Sequence, residues 1–531
     1  MDRKWWTLVA VCVGTFMLLL DVTIVNVALP AIQVSLKASF SDLQWVVDAY
    51  SLALAALLLT TGSLADLFGR RLVFMIGLVI FSLSSLASGL ASDPLWLNIA
   101  RGAQGVGGAA MFSTSLALLG SAFQGRERGT AFGVWGGITG LAVAIGPVVG
   151  GALTTGLSWR WIFLVNVPIG VVALVLCALR VDESRERGEH RLDPIGAVTF
   201  TGALGALVYA LIKGNSLGWS STVIEACLIG SVVLLIVFLI AEFVQGENAM
   251  FDLRLFRKPT FTGGAIAAFA LSAGLFAMLL YLTLYLQDVL RFSAFQTGLR
   301  LLVLSGGIIL TATLSGRLTA QVPIRFLIAP GLALVGVGLL LMRGLNASSD
   351  WTHLIPGFIA AGAGTGFINP PLASTAIGVV APQRAGMASG INSTFRQVGI
   401  ATGIAGLGSV FSHKVRTDIE SLLGNAPHIT APTAHRLAES VAQGGGVGGG
   451  LSKLPAAARP VAIHAVRSAF VAGLNEIFLI GAALTLVSSV LTLFLIRSRD
   501  FEVGAARGPS AGAEPAQQPA HASLTESAKS V

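Results

Sequence analysis

The sequence predicts an all-α membrane protein with fourteen transmembrane helices. Of its 531 residues, 54% are hydrophobic and 11% are charged, and this charged fraction is about half that of a typical soluble domain. Apolar windows of about 20 residues, each long enough to cross roughly 30 Å of hydrocarbon, recur from Trp6 to Ile496. This composition excludes a disordered chain, a disulfide scaffold and an ordinary cytosolic enzyme.

Glycines, prolines and charged residues separate the apolar windows and set their approximate ends. In the first half of the chain, helices are predicted at 8–29, 44–65, 72–91, 95–119, 129–153, 161–180 and 194–213. In the second half, they are predicted at 222–243, 261–286, 297–318, 324–342, 352–378, 386–411 and 470–496. These windows are apolar around the whole helix circumference, as expected for helices that contact lipid and one another.

The basic residues indicate an orientation in the membrane. The formal net charge is +8, but the basic residues lie in short loops, so topology explains them and no nucleic acid partner is expected. With the N-terminus inside, the inner loops and tails hold roughly 20 Lys and Arg, and the outer loops hold about six. We therefore expect a multi-pass protein of the cell (cytoplasmic) membrane with both termini in the cytoplasm. The three cysteines lie in apolar windows without C-x-x-C spacing, so no metal site is expected.

Two segments are predicted to lie outside the membrane. The stretch 412–469 is polar and contains the glycine run 444–450, which indicates an extracytoplasmic loop with short amphipathic pieces around 415–423 and 434–441. The segment 497–531 is rich in Ala, Pro, Ser and Gly and predicts a disordered cytoplasmic tail.

Asp21 lies past the middle of the first predicted helix. A charged Asp near the bilayer centre costs about 2.5–3.5 kcal/mol on insertion scales, so we expect it to face the bundle interior and either pair or take a proton. A carboxyl group that binds either a proton or a cation, but not easily both, is sufficient to exchange one for the other. The alternative is that Asp21 only hydrogen-bonds a neighbouring helix.

Arg101 lies at a similar depth in the fourth predicted helix and is the natural partner of Asp21. Gln104, at i+3, can supply further hydrogen bonds. A fixed structural ion pair between Arg101 and Asp48 on the second helix is an equal alternative. Asp48 is also a weaker candidate for proton exchange.

The predicted inner loop between helices 2 and 3 contains Gly62, Asp66, Gly69, Arg70 and Arg71. The glycines allow a tight turn, the acid can meet a helix N-terminus, and the arginines can meet carboxylates or lipid phosphates. A topology signal would need only the arginines, so the spacing of Gly, Asp and Gly suggests a latch.

Helix 5 contains small residues spaced around a proline, namely Gly146, Pro147, Gly150 and Gly151. Such a face lets another helix pack closely and lets the helix bend. The pattern therefore indicates a helix interface.

Arg396 lies near the middle of predicted helix 13, where Asn392 and Gln397 flank it, and it should face a polar cavity. Whether it supports a gate or contacts a ligand is open at this point. The substrate cavity is expected to be broad and apolar with few polar points. Its candidate lining residues are Asp21, Gln104, Trp135, Tyr281, Phe367, Asn392, Phe395 and Arg396. The aromatic members are at least as compatible with helix packing.

These residues resemble the major facilitator superfamily and, more narrowly, its fourteen-helix drug:proton antiporter branch. The likeness covers nearly the whole chain, to about Ile496. It is carried by LDVTIVNVALP (20–30), GSLADLFGRR (62–71), RGAQG (101–105), GPVVGG (146–151), WRWIFLVNVP (159–168), YLQ (285–287), AGMASG (385–390) and TFRQ (394–397).

The resemblance implies two six-helix bundles, at 5–180 and 261–496, joined by a linker at 181–260 that holds two extra transmembrane helices. It implies alternating access around a central site, proton coupling at Asp21 and Arg101, an inner-gate latch at 62–71 and a helix 5 motif that favours export. The corresponding loop of the second half, at 316–320, lacks the acid. Any latch is therefore expected to be one-sided.

The function expected from these features is proton-coupled export of hydrophobic, often cationic, small molecules by a monomer in the lipid bilayer, with no cofactor or metal. The alternatives are an exporter dedicated to one metabolite, lipid or antibiotic, and a non-transporting membrane sensor. An enzyme is not expected. Gly214–Gly218 matches the G-x-S-x-G pattern without its strand-turn-helix setting, and the glycines at 105–110 lie inside a helix.

Overall fold

The structure is a computed structural model that describes residues 2–38, 40–184, 193–245, 253–319, 321–380, 384–424, 429–442, 455 and 458–501. In these residues, all regular secondary structure is helical. The first half contains α1 Arg3–Leu36, α2 Phe40–Phe68, α3 Arg70–Gly89, α4 Pro94–Ala122, α5 Gly125–Gly156, α6 Trp161–Leu164, α7 Asn166–Arg180, α8 Pro194–Leu217 and α9 Thr222–Gln245. The second half contains α10 Pro259–Leu271, α11 Ala277–Leu284, α12 Ala294–Leu318, α13 Arg325–Met342, α14 Ile355–Gly378, α15 Ala385–Leu423, α16 Ala431–Ala442 and α17 Arg459–Leu495.

Helices occupy each of the fourteen predicted spans. Within the described ranges, eleven helices are long and apolar enough to cross a membrane, and α5 makes a twelfth when its two bent parts count as one span. These lengths confirm an all-α, multi-span membrane fold. The count of fourteen crossings stays a prediction, because α14 and α15 are not among the twelve.

Two helical irregularities have clear local causes. The axis of α5 bends by 41° between Val143 and Ile145. Pro147 explains this bend, because it lacks the N–H that would bond the carbonyl four residues earlier, at Val143. A turn at Val165 separates α6 from α7, so that Asn166 begins α7.

The outer segment is more helical than expected. α15 continues to Leu423 and α17 begins at Arg459, so both ends of the predicted loop 412–469 are helical. The extracytoplasmic position of this segment stays a prediction. The predicted amphipathic pieces form the end of α15 and most of α16, and they pack together through an apolar core. This core includes Val415, Ile419, Leu423, Leu437, Ala438 and Val441. The glycine run 444–450 and the tail 502–531 lie outside the described residues.

The largest apolar core is built by residues between 267 and 496, and a second core is built mainly by residues between 8 and 181. The two halves meet where α2 packs on α15 and where α5 packs on α12. Helices α8 and α9 pack together, and α8 also contacts both α2 and α15. The linker is therefore attached to both halves.

Candidate functional site

The Asp21 carboxylate on α1 is fully buried and is held by three hydrogen-bond donors. Its Oδ2 accepts a hydrogen bond from Arg101 Nη1 at 2.5 Å. Its Oδ1 accepts from Gln104 Nε2 at 3.0 Å and from Asn166 Nδ2 at 2.9 Å. The site therefore joins α1, α4 and α7 around one carboxylate.

The Arg101 guanidinium is fixed on several sides. Its Nε donates to the carbonyl oxygen of Val46 at 2.9 Å, and its Nη1 also donates to Gln104 Oε1 at 2.9 Å. It lies 4.3 Å from the centroid of the Tyr50 ring and 5.7 Å from that of Phe163. Stacking of a guanidinium on an aromatic face is favourable, and more so when both groups are desolvated. The geometry thus joins Arg101 to Asp21, as the sequence suggested.

Asp48 has a different partner from the one considered in the alternative. Its Oδ2 lies 2.7 Å from Nζ of Lys213 on α8, and both side chains are largely buried. The expectation of an Arg101–Asp48 pair is therefore wrong. Lys213 was missed because it stands at the end of an apolar window, and hydropathy does not tell which helices become neighbours.

Asn166 is the main site residue that sequence reasoning missed. Besides binding Asp21, its Nδ2 donates to Ser85 Oγ at 3.1 Å, and Ser85 Oγ donates to the carbonyl of Phe163 at 2.9 Å. Asn166 is fully buried, and its Oδ1 has no partner in the described part of the chain. The only signal was its place in the WRWIFLVNVP motif.

The segment 62–71 links the two halves of the molecule. Asp66 accepts hydrogen bonds from the backbone N–H groups of Gly386 at 2.9 Å and Met387 at 2.8 Å, at the start of α15. Arg70 donates to Asp66 Oδ1 through Nε at 3.1 Å and Nη2 at 3.0 Å. A Cβ at Gly62 would lie 2.5 Å from the Gly386 carbonyl oxygen, so only glycine permits this approach of α2 to α15.

Gly69 and Arg71 contact the end of the first half. Gly69 has φ +114°, in the region that favours glycine, and a Cβ there would lie 2.7 Å from the Glu183 carboxylate. Glu183 accepts from the backbone N–H groups of Arg71 at 3.1 Å and Leu72 at 3.2 Å, which places a carboxylate at the N-terminus of α3. Arg71 Nη2 donates to the Ala178 carbonyl at 2.7 Å. Glu183 was not identified from the sequence.

In the second half, the loop that lacks an acid makes a different contact. Gly316 packs directly against Gly129 on α5, and a Cβ on either glycine would overlap the carbonyl of the other. At the end that carries the 62–71 segment, the halves therefore approach closely through a buried carboxylate and through a pair of glycines. Ala320 lies outside the described residues.

The helix 5 motif packs α5 onto the part of α1 that follows Asp21. A Cβ at Gly146 would overlap Thr23 Oγ1, and a Cβ at Gly150 would lie 2.8 Å from Ile24 Cγ1. The bend that Pro147 causes lies just before these two contacts. Gly151 continues the run of small residues after them. The motif therefore helps to fix the position of α1 beside the carboxylate.

Two of the cavity candidates lie in packed cores. Trp135 is 2% exposed and donates through Nε1 to Thr15 Oγ1 at 3.2 Å. Tyr281 is 6% exposed, donates to the Ile404 carbonyl at 3.0 Å and stacks near Phe411. Their contacts in this structure are those of helix packing.

The other cavity candidates lie on α14 and α15. Phe367 and Phe395 are half-buried. Asn392 lines a small cavity between α10, α14 and α15. Arg396 Nη2 donates to Asn369 Oδ1 on α14.

Comparison with known proteins identifies relatives of the whole chain. The family model of the Major Facilitator Superfamily matches residues 11–404. Multidrug resistance protein Stp of Mycobacterium tuberculosis (strain CDC 1551 / Oshkosh) is 38% identical over 421 residues, 79% of this chain and 78% of that protein. The tetracenomycin C resistance and export protein of Streptomyces glaucescens is 32% identical over 495 residues, 93% of this chain and 91% of that protein.

A solved structure has the same fold. The human organic anion transporter MFSD10 (TETRAN) superposes with a TM-score of 0.61 at 14% sequence identity, covering 93% of this chain and all of that one. The family match, these relatives and the helical architecture agree. The chain therefore belongs to the Major Facilitator Superfamily of membrane transporters.

Proposed function

We propose that the protein is a proton-coupled exporter of hydrophobic small molecules that works by alternating access as a monomer in the cell membrane. The observation that carries this proposal is the buried Asp21 carboxylate, bound to an arginine that does not lose its proton. Such a carboxylate can exchange its arginine partner for a proton, which couples transport to the proton gradient.

In the proposed cycle, the outward-facing protein takes a proton on Asp21, turns inward and exchanges that proton for substrate. Protonation removes the charge that holds Arg101, whose remaining hydrogen bonds are to Val46 and Gln104. No cofactor is required, because the gradient supplies about 1.4 kcal/mol per pH unit and about 2.3 kcal/mol per 100 mV for each charge. Together these terms support concentration gradients of roughly tenfold to thousandfold.

The contacts between the halves support a two-bundle mechanism. We assign the bundles to 5–180 and 261–496 and the linker to 181–260. The approach of Gly62 to Gly386 and of Gly129 to Gly316 closes the end that carries the 62–71 segment. The distribution of basic residues favours a cytoplasmic position for this end and for both termini.

The names of the relatives support antibiotics and other toxic apolar molecules as substrates. One relative is named for multidrug resistance, and another for resistance to and export of tetracenomycin C. The protein therefore exports either several unrelated compounds or one compound that its host makes. Transport of chemically unrelated compounds by the purified protein would separate these two versions.

Substrate-induced proton release from purified protein tests the coupling role of Asp21. Adding tetracenomycin C to the wild type should release protons. The Asp21→Asn variant should release none, because an amide cannot take up and give back the proton. The control is Asp418→Asn, which removes an acid that pairs with Lys414 beyond the predicted end of the span. Unchanged release in Asp21→Asn would contradict the proposal, as would equal loss in both variants.

A further inference from the structure

Arg396 lies at the junction of the two halves. It stands about three turns into α15, and its Nη2 donates a hydrogen bond to Asn369 Oδ1 on α14. The Asn369 Cβ lies 3.5 Å from the Cβ position of Gly136 on α5. The Arg396–Asn369 pair therefore lies where the second half faces the first.

Among the residues that the structure describes, Arg396 has no counter-charge. Asp21, Asp48 and Asp66, the acids of the first two spans, are each paired with a base. Arg396, by contrast, has no carboxylate within ion-pair distance in the described ranges, and its buried Nε has no hydrogen-bond partner there. A guanidinium stays charged, and a charge inside a membrane protein is costly unless an opposite charge or several acceptors compensate it. This position therefore favours an acceptor that bears negative charge.

Neighbouring polar atoms on α15 are also unsatisfied. The buried hydroxyls of Ser389 and Thr394 have no hydrogen-bond partner among the residues that the structure describes. Asn392, one turn before Arg396, lines the small cavity together with Thr375. On the face of α15 that carries Arg396, Ser389 and Asn392 therefore add a hydroxyl and an amide donor to the guanidinium.

We propose that Arg396 binds the anionic group of the substrate, so that the transported molecules have an apolar body and a negatively charged group such as a carboxylate, phenolate or sulfonate. The proposal rests on the export function and specifies its substrate class. It replaces the expectation of a mostly cationic substrate. The planar guanidinium presents parallel N–H donors that match such groups.

The charge of Asp21 does not offset this preference. While Arg101 is bound, the Asp21 carboxylate is already neutralised and accepts from three donors. A cationic substrate would therefore be repelled by Arg396 and would find no free carboxylate at Asp21 to compensate for that repulsion. An anion gains the attraction of Arg396 when Asp21 is deprotonated and paired with Arg101, which is the state that follows proton release in the proposed cycle.

Tetraphenylborate and tetraphenylphosphonium provide a matched test of the charge preference, because the two ions have the same shape, opposite charge and no hydrogen-bonding group. Equilibrium dialysis against full-length protein in lipid nanodiscs, with empty nanodiscs subtracted, measures their affinities. The wild type should bind tetraphenylborate at least tenfold more tightly than tetraphenylphosphonium. Arg396→Gln should weaken tetraphenylborate binding at least tenfold without weakening that of tetraphenylphosphonium.

Two further variants separate a direct contact from an indirect effect. Arg396→Lys keeps the charge and should retain part of the tetraphenylborate affinity. Arg436→Gln removes the same charge from the exposed face of α16 and should leave both affinities unchanged. Retained tetraphenylphosphonium binding in Arg396→Gln shows that this variant is folded.

The proposal is overturned if the wild type prefers tetraphenylphosphonium, binds neither ion, or binds tetraphenylborate equally well with and without Arg396. A preference for tetraphenylphosphonium would leave the export function intact. Conversely, the wild type could show an anion preference that depends on Arg396 but no substrate-induced proton release. That result would support the anion site and contradict proton-coupled export.

Discussion

At the scale of single residues, the Asp21 site is a carboxylate surrounded by donors. Arg101, Gln104 and Asn166 all donate to it, and hydrogen bonds of this kind stabilise the charged form. Asn166 differs from the other two because its Oδ1 has no partner among the described residues. Rotation of this amide would offer an acceptor to a protonated carboxyl, so Asn166 can serve both protonation states as a positioning residue.

Replacing Asn166 with Leu should therefore slow proton release. The variant loses one of the three donors that hold the carboxylate in place. The rate of substrate-induced proton release should fall at least about tenfold, since a hydrogen bond to a charged group contributes about 1.5–3 kcal/mol. The measurement is the time course of proton release, followed with a pH indicator.

Ser85→Ala is the matched control, because it removes the second partner of Asn166 and leaves the bond to Asp21. It should slow proton release much less. Equal slowing in the two variants, or none in Asn166→Leu, would show that Asn166 has only a packing role.

At the scale of elements, α5 and α1 are fitted to each other by glycines. Gly146 and Gly150 let α5 lie against Thr23 and Ile24, directly after Asp21. Pro147 removes the hydrogen bond to Val143, so α5 bends just before this contact. The small residues thus determine how the segment that carries the carboxylate is packed.

Gly146→Ala should destabilise the protein, because the new Cβ would overlap Thr23 Oγ1 and drive the two helices apart. Overpacking of this kind costs about 1–3 kcal/mol. Thermal unfolding in detergent measures the effect as a lower Tm.

Gly306→Ala on α12 is the control for this test, because nothing lies within 4 Å of its Cβ position. It should leave Tm unchanged or raise it slightly, since alanine is the better helix former. A similar loss of Tm in both variants would contradict the packing argument.

At the scale of the whole molecule, the closed end depends on a contact between the halves. Asp66 bonds two N–H groups at the start of α15, where the helix dipole favours a negative charge. Gly62 allows the close approach, and Gly129 with Gly316 forms the second contact. Both contacts must separate when this end opens.

Asp66→Asn should shift the molecule toward opening at this end, because the amide loses the charge that meets the α15 N-terminus and Arg70. Spin labels at Phe68 and Phe326, both exposed, would report this as longer interlabel distances. The labels require a background in which Cys12, Cys177 and Cys227 are replaced.

The comparison variant is Glu127→Gln, which removes an acid that pairs with Lys4 within the first half. It should leave the interlabel distances unchanged. An unaltered distance distribution in Asp66→Asn would argue against the latch.

The sequence by itself determined the helical membrane architecture, the family and the residues with chemical potential. Long apolar windows are a property of local composition, and a charge inside such a window is conspicuous because burial there is costly. For this reason Asp21 and Arg101 were found without a structure. The latch interpretation of Asp66 was likewise suggested by spacing alone.

Only the tertiary structure decided which of these groups meet. Asp48 pairs with Lys213 rather than with Arg101. Asn166 and Glu183 make contacts that no spacing in the sequence indicated. Arg396 lies beside the neutral amide of Asn369. In addition, α15 continues past the predicted end of its span. The physical reason is that hydropathy records the environment of each helix but not its neighbours, and partners more than 100 residues apart are brought together only by packing.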